Sequence, residues 1–534
     1  MSILAKEWKN TGEAEIESPI SSSSVPLDID GELPVVILPG GDVTITKSAT
    51  ELFRIVAPIH RIFRRGKAVV TLTHNMLGTG ILEPLRPSGA RSFFEGFAKF
   101  LAWRAGKNAS IVLKPVVVPE ETARAFIDCA AAVDLLPIIN GLVNCPIIIE
   151  VGSELKVCGA GFDPESGVLV QQGDSPPVVP VKEAVEELRK LLAKFHFQSQ
   201  SDESRAMAAF ITPGFKMGNL LPGPIPADVA ESDQSQSGKT YRQRMTAAIY
   251  NEEPALVPLK RGGVGSTDES LYEKLVNGRP FIQLDNYRGI LNSPALEAFL
   301  TAKGSFPCRI PHCREIEVDP SRYFIQLTSN GVETTRDLAN RSSMVRNIKR
   351  RNVAFPDTLG AIRAQQSYYL GCVFAVVREW HARGKPQSGE MRHDFREWCQ
   401  TLDWIVQNLF GMAPLMDGHV AAQERVSNPA LTFLRRLAFE AERVDNLDTP
   451  LLASQLFELA EAADIEVPGL REQDQHDGDK AKKIIGIKLA PIFKDTQIVE
   501  LDGFTVTRTA SSRERDDDGG DYVVKTYTFA KRPQ

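Results

Sequence analysis

The sequence predicts an α/β protein built around a parallel-sheet core. An N-terminal α/β domain precedes the core, a helical stretch follows it, and a small helix-plus-hairpin unit ends the chain. Three observations carry this. Between about residues 205 and 350, short apolar runs alternate with helical stretches, as in strands joined by crossovers. One of those runs leads into Ser-Gly-Lys-Thr at the start of a helix. Residues 356–467 read as almost wholly helical, including 368–383 and 429–443. At roughly 150 residues per domain, 534 residues fit three or four domains. Charged residues make up 24% and hydrophobic ones 43%, an ordinary globular composition that excludes wholesale disorder, collagen-like repeats and a membrane bundle. The formal charge of −6 removes any global electrostatic argument for nucleic-acid binding, so such binding must come from local charge.

Taken in chain order, residues 1–32 form a polar tail ending in Ser21-Ser22-Ser23-Ser24, expected to be mobile and without the apolar core of a signal peptide. Residues 33–180 are the N-terminal α/β domain, with strands at 69–73 and 111–113 and a turn at 163–167. Residues 91–104 are expected to be a helix with Phe94, Phe97 and Leu101 on one face. Arg54, Arg61, Arg64, Arg65 and Lys67 occur with no acid among them, either as a solvated helix face or as a nucleic-acid contact. The apolar stretch 125–149 is broken by Asp128, Asp134, Asn140 and Asn144, which makes it a core segment and not a membrane span. Residues 181–204 form a linker helix with Val185, Leu188, Leu191 and Leu192 on its apolar side. The core covers 205–351 and the helical lid 352–470. An acidic linker at 471–479 leads to 480–534, where a helix at 480–493 and β-prone runs at 503–509 and 522–529 suggest a winged helix. Seven cysteines without framework spacing point to a reducing cytoplasm. Cys308, His312 and Cys313 lack a fourth ligand of convincing spacing for structural zinc.

The motif that carries chemistry is Ser232-Asp233-Gln234-Ser235-Gln236-Ser237-Gly238-Lys239-Thr240, set between an apolar strand ending in Glu231 and a helix. Strand, loop, Gly-Lys-Thr and helix form the context of a phosphate-binding loop. Backbone N–H groups at a helix N-terminus hold phosphate oxygens. Ser235, Gln236, Ser237, Gly238, Lys239 and Thr240 are therefore the ATP-binding candidates. Lys239 would neutralise the β/γ-phosphates and Thr240 would ligate Mg²⁺. Asp233 stands where the first glycine of such loops is expected.

The downstream series strengthens the reading. Residues 280–286 form an apolar strand ending in Asp285, placed to organise Mg²⁺ with Thr240. Residues 323–330 form a second strand ending in Asn330, placed to position the attacking water. One short helix later, Arg341 is placed to reach the nucleotide of an adjacent subunit and stabilise charge on the transferring phosphoryl group.

Phosphate loop, Asp-ended strand, Leu327-Thr328-Ser329-Asn330-Gly331 and the run Asp337-Leu338-Ala339-Asn340-Arg341-Ser342 together resemble AAA+ helicases of superfamily 3 and the related MCM-like type. Gly262-Gly263-Val264-Gly265-Ser266 and Leu284-Asp285-Asn286 are similar to the replication helicases of phages, plasmids and chromosomal cassettes. So are residues 136–147 followed by Gly161-Phe162-Asp163-Pro164. The likeness spans about 130–450. It implies a P-loop AAA+ core in a ring, expected to be a hexamer, that moves along single-stranded or forked DNA as ATP is hydrolysed with Mg²⁺, with a separate primase or initiator as a possible partner. It also implies a pore hairpin at 303–314, where Lys303, Arg309, His312 and Arg314 would track phosphates. Arg346, Lys349, Arg350 and Arg351 form either a second DNA contact or a subunit interface.

The sequence departs from the family pattern at Asn286, where most such ATPases carry Glu to polarise water. An amide orients water but takes no proton, so beside Asn286 the base must lie elsewhere or be dispensable; Glu231, at the end of the phosphate-loop strand, is one candidate and Glu269 a second. No primase centre is expected, because Asp28-x-Asp30 lies in the polar tail. The rival readings are a non-motor AAA+ regulator or loader, and a DNA-binding scaffold with a degenerate nucleotide site.

Overall fold

The computed structural model describes residues 33–534 except 77, 106–110, 233–236, 261–265, 288–289, 292, 310–314, 330–332, 350–356, 471–473, 475, 495, 502, 516–520 and 532–534. Outside the described residues lie the N-terminal tail, Asp233, Ser235, Gln236, the 262–265 glycines, His312, Cys313, Arg314, Asn330, Arg350 and Arg351. Contacts divide the chain into two compact units, Met1–Leu72 with Glu83–Ile138, and Thr73–Leu82 with Ile139–Gln534. No helix among the described residues is long and apolar enough to cross a membrane.

The first unit carries a three-stranded sheet in the order Val35–Ile37, Lys99–Ala105, Ile111–Pro115, the first pair parallel and the second antiparallel. Helix Ile45–Val56 starts where the Thr44 hydroxyl accepts the Lys47 N–H at 3.2 Å, a standard N-cap. Its apolar face buries Leu52, Phe53 and Val56 against Phe94 and Phe126, and the Phe53 and Phe94 rings meet edge-on at 6.1 Å. Two expectations are corrected here. The helix expected at 91–104 is helix Pro87–Glu95 followed by a strand from Lys99. The spacing of Phe94, Phe97 and Leu101 is met equally by a helix end, a turn and an outward-facing strand position. The Arg54–Lys67 segment is not one helix face: the helix stops at Val56 ahead of Pro58, and Ile62–Arg65 is a strand paired with Ala68–Thr71. Gly66 turns that hairpin at φ +59°, and the Arg65 side chain is buried.

The second unit is organised by a five-stranded sheet of β1 (Ala227–Glu231), β2 (Ala255–Leu256), β3 (Phe281–Tyr287), β4 (Phe324–Ser329) and β5 (Ser342–Arg346). They lie in the order β2-β3-β4-β1-β5, and every pairing is parallel. A sheet covered on both faces needs buried residues at consecutive positions, and β4 is buried from end to end. Helix α1 (Lys239–Ile249) follows β1. Beneath it the sheet face is polar: Gln243 donates to the Asp228 and Leu327 carbonyls at 2.8 and 3.1 Å, and accepts from Gln283 at 3.0 Å. Arg242, fully buried, pairs with Asp228 at 2.6 Å. These bonds tie β1, β3 and β4 to one helix and so hold their carboxyl ends in register.

The expected boundaries at 180, 204 and 480 are crossed by packing. Residues 139–170 belong with the core sheet, since the Asn144 N–H donates to Glu252 at 2.9 Å and Asn251 donates to the Asn144 carbonyl at 2.9 Å. The expected linker is helix Val181–Leu192, whose Ala184, Leu188, Leu191 and Leu192 are buried, and whose Arg189 donates to the Phe410 carbonyl at 2.9 Å. It is a packed element and not a tether. At the other end, helices Pro429–Arg443, Ala453–Ala462 and Gly478–Leu489 share one core with a four-stranded sheet. That sheet runs Pro450–Leu452, Asp521–Lys531, Phe504–Arg515, Ile498–Leu501, all antiparallel. Phe433, Leu437, Leu456, Ile485, Val506 and Phe529 fill this core, so the C-terminal unit begins near residue 429 and takes in the last part of the expected lid.

Candidate active site

The site lies at the carboxyl edge of the parallel sheet, where α/β folds present their ligand-binding loops. Glu231 ends β1, and α1 begins at Lys239 after the loop. Gly238 caps the helix at φ +86°, a left-handed conformation disfavoured for residues with a side chain. A Cβ there would sit 3.0 Å from the Phe195 ring. The sequence places glycine where both torsion and space require it. The next residue, Lys239, is buried, with Nζ 3.3 Å from the Ser237 hydroxyl.

Thr240 and Asp285, 45 positions apart, meet directly: the threonine hydroxyl donates to Asp285 Oδ1 at 2.8 Å. The Thr328 hydroxyl donates to the same oxygen at 2.6 Å and accepts the Asn286 N–H at 2.7 Å. Between Leu284 and Tyr287 the β3–β4 register shifts, and Asn286 adopts φ +52°. Such a bulge re-aims side chains at a strand end. Here it leaves Asn286 exposed beyond the edge. A threonine hydroxyl and a carboxylate beside a helix N-terminus are hard oxygen ligands, the donor set Mg²⁺ takes together with water and phosphate oxygens. The residues present therefore fit a Mg²⁺–nucleotide.

No protein-family model matches the chain, and no curated protein matches it. Among solved structures, an active helicase, SCCmec type IV Cch, aligns over 87% of this chain and 92% of its own at 12% identity and a TM-score of 0.32. The apo A form of the NrS-1 C-terminal region aligns over 89% and 98% at 11% identity and a TM-score of 0.35. Residues 305–718 of the same protein align over 84% and 92% at 11% identity and 0.32. Similarity at this level identifies neither family nor activity, so the chemistry of the site stands on its own geometry.

Glu231 does not face the nucleotide crevice as a free carboxylate. It is fully buried: Oε1 accepts from Arg425 at 2.6 Å and from Arg435 at 3.0 Å, and Oε2 accepts from the second Arg425 nitrogen at 2.5 Å. Burial alone would raise its pKa, but Arg425 foremost, then Arg435 and Arg346, outweigh that and hold it well below the usual carboxylate range. A carboxylate so stabilised is a poor proton acceptor, so the expectation that Glu231 acts as base is replaced by a structural role. It anchors helices His419–Ser427 and Pro429–Arg443 to the end of β1.

Arg341 lies away from this cluster. It precedes β5, whose Ser342 pairs with Ala227 at the amino end of β1, the edge opposite Thr240 and Asp285. Its guanidinium donates to the Glu297 carbonyl at 2.9 Å and lies 3.6 Å from Asp337. The expected hairpin at 303–314 has a ladder of Phe306–Cys308 against Ile316–Val318. Lys303 is exposed, and Arg309, 87% exposed, lies 3.7 Å from Glu315.

Sequence reasoning passed over Thr328, Arg425 and Arg435. Thr328 stood inside the Leu327–Asn330 run, and a hydroxyl at the last turn inward of a strand ending was its available signal. The two arginines carry no motif: they sit in helices about 200 residues from Glu231, and only packing brings them to it.

Proposed function

We propose that this chain is an ATP-dependent DNA helicase of the P-loop AAA+ type, a ring-forming motor serving replication of a mobile or phage-like element. The single observation that carries the reading is the Thr240–Asp285 contact at 2.8 Å beneath the Gly238-capped helix. It joins the two Mg²⁺ ligand candidates at the mouth of a loop with the right composition. In this reading Lys239 binds the β/γ-phosphates, Ser235, Gln236, Ser237 and Gly238 supply the loop, and Asn330 and Asn286 orient the attacking water. Thr240 and Asp285 would hold Mg²⁺, which would supply positive charge against the negative charge of the transferring phosphoryl group. The position of Arg341 at the opposite sheet edge, away from Thr240 and Asp285, supports a role for it at the nucleotide of a neighbouring subunit in a ring, expected to be hexameric. Lys303, Arg309, His312 and Arg314 follow the DNA backbone. The C-terminal order helix, strand, two helices, then hairpin strands supports the winged-helix reading, with a DNA or partner contact there. The test is strand displacement on forked DNA with a 3′ or a 5′ tail. Wild type separates the strands with ATP and Lys239→Ala does not; no ATP turnover or displacement by wild type on either fork overturns the reading.

A second reading has its own observation. With Asn286 in place of an acid and both Glu231 oxygens engaged by arginine, the site is suited to hold nucleotide without rapid hydrolysis. A regulator or scaffold would bind ATP and assemble on DNA with no turnover under any DNA condition.

A further inference from the structure

The three-stranded sheet of the first unit has one face that its own core does not use. Side chains alternate across a strand, and Val36, Leu38 and Phe100 point into the core. The opposite pleat carries Val35, Lys99, Leu101, Trp103, Leu113 and Ile111, aligned by the pairings Val35↔Lys99, Trp103↔Leu113 and Ala105↔Ile111. Val35, Trp103 and Ile111 are 46%, 44% and 71% exposed. Buried strands normally leave polar residues on their outer face, so a tryptophan flanked by leucines there marks a binding surface.

We propose that this face is a stacking platform for single-stranded DNA, with Trp103 as its central base contact. The charge pattern selects the occupant. From Gly96 to Pro119 the sequence contains no acid, while Lys99, Arg104 and Lys114 are all exposed. Lys99 lies on the apolar pleat itself, beside Val35. Lysine is depleted from the centres of protein–protein interfaces, whereas an exposed aromatic residue on an acid-free strand pair that carries lysine and arginine suits a chain of stacking bases and phosphates. Arg104 and Lys114 lie on the opposite pleat, where long side chains reach round the edge of a narrow sheet. Sheet platforms of this kind stack roughly two or three bases. The inference rests on the helicase reading for its biological setting, but its chemistry is independent of the nucleotide site.

The test uses the full chain and a fluorescent oligothymidylate, read by anisotropy over a salt series without nucleotide. Trp103→Ala is expected to weaken binding roughly five- to hundredfold, the cost of losing one base–aromatic stack. Trp103→Phe, which keeps a ring, restores most of it. Lys99→Ala with Lys114→Ala lowers the slope of log affinity against log salt by about 0.7 per lysine. ATP turnover measured without DNA stays at the wild-type rate in all of these. Unchanged oligothymidylate affinity in Trp103→Ala overturns the platform, and does so decisively if that variant instead loses mass by sedimentation, which makes the face an interface between copies. Wild-type unwinding combined with unchanged affinity of Trp103→Ala removes the platform and leaves the helicase. Tryptophan-dependent binding without unwinding or ATP turnover removes the helicase and leaves the platform.

Discussion

Replacing Glu231 by glutamine keeps the shape of the side chain but removes the charge that Arg425 and Arg435 face. The carboxylate is fully buried, and the two arginine side chains are 11% and 5% exposed, so water screens little of the interaction. Breaking a buried pair by neutralising one partner leaves the other charge uncompensated and costs about 3–5 kcal/mol. Glu231→Gln should therefore lower the urea midpoint of the unit containing the sheet, followed by tryptophan fluorescence. A midpoint is the right quantity, because a chain of two units need not unfold in a single step. A cycle with Arg425→Met should return a coupling of roughly 1–3 kcal/mol, as residues in one network do. The pH dependence has a definite sign. The folded-state pKa of Glu231 lies below its ordinary value of 4.5. Its stabilisation is therefore complete above that value and is lost as pH falls through the lower, folded-state value. Wild type should lose this increment in acid, and Glu231→Gln should lack it at every pH. Wild-type stability in Glu231→Gln combined with lost ATP turnover would refute the anchoring argument and return Glu231 to the role of base.

If Thr240 and Asp285 are the proposed Mg²⁺ ligands, Thr240→Val and Asp285→Asn should each lower Mg²⁺-dependent ATP turnover at least about a hundredfold, because the first removes a hydroxyl oxygen and the second the carboxylate charge; unchanged circular dichroism with lost turnover is the expected pair of readings. Thr328→Val should leave nucleotide binding intact but reduce turnover, since the bulge at Asn286 and the Asp285 rotamer both lose their hydroxyl pin; a shift in apparent Mg²⁺ affinity is the measurement. Gly238→Ala should cost about 1–2 kcal/mol from the positive φ and the Phe195 contact, seen as weaker binding of a fluorescent ATP analogue. Arg341→Ala should bind ATP normally and hydrolyse it slowly, and mixing it with Lys239→Ala protein should restore turnover at shared interfaces if the arginine acts between subunits.

Several parts of the fold were legible in the sequence because the interactions that determine them are local. β1, β3 and β4 were readable as apolar runs with polar ends, since strands buried on both faces tolerate little else. The α1 start was readable from Gly238-Lys239-Thr240, since a left-handed helix cap favours glycine. The turn at 163–167 and the helices 366–382 and 429–443 follow from turn chemistry and helical periodicity in the same way. The 91–104 segment failed because its apolar spacing satisfied two periods at once, and the strand pairings of 99–105 with 35–37 and 111–115, outside the segment, decided between them.

The sequence by itself determined the identities and order of the candidate groups, Lys239, Thr240, Asp285, Asn286 and Arg341, and the strands and helix that carry them. Only the tertiary structure decided which of them meet. Thr240 reaches Asp285 because β1 and β3 flank β4 in a sheet whose order is not the chain order. Arg341 is kept at the far edge because β5 pairs with β1 in parallel, starting from its amino end. Glu231 became an anchor for helices 419–427 and 429–443 because two arginines nearly 200 and just over 200 residues away fold onto it. Charge and propensity are written residue by residue, but a carboxylate's proton affinity is set by what surrounds it after folding, and that neighbourhood is assembled across distances no local pattern encodes.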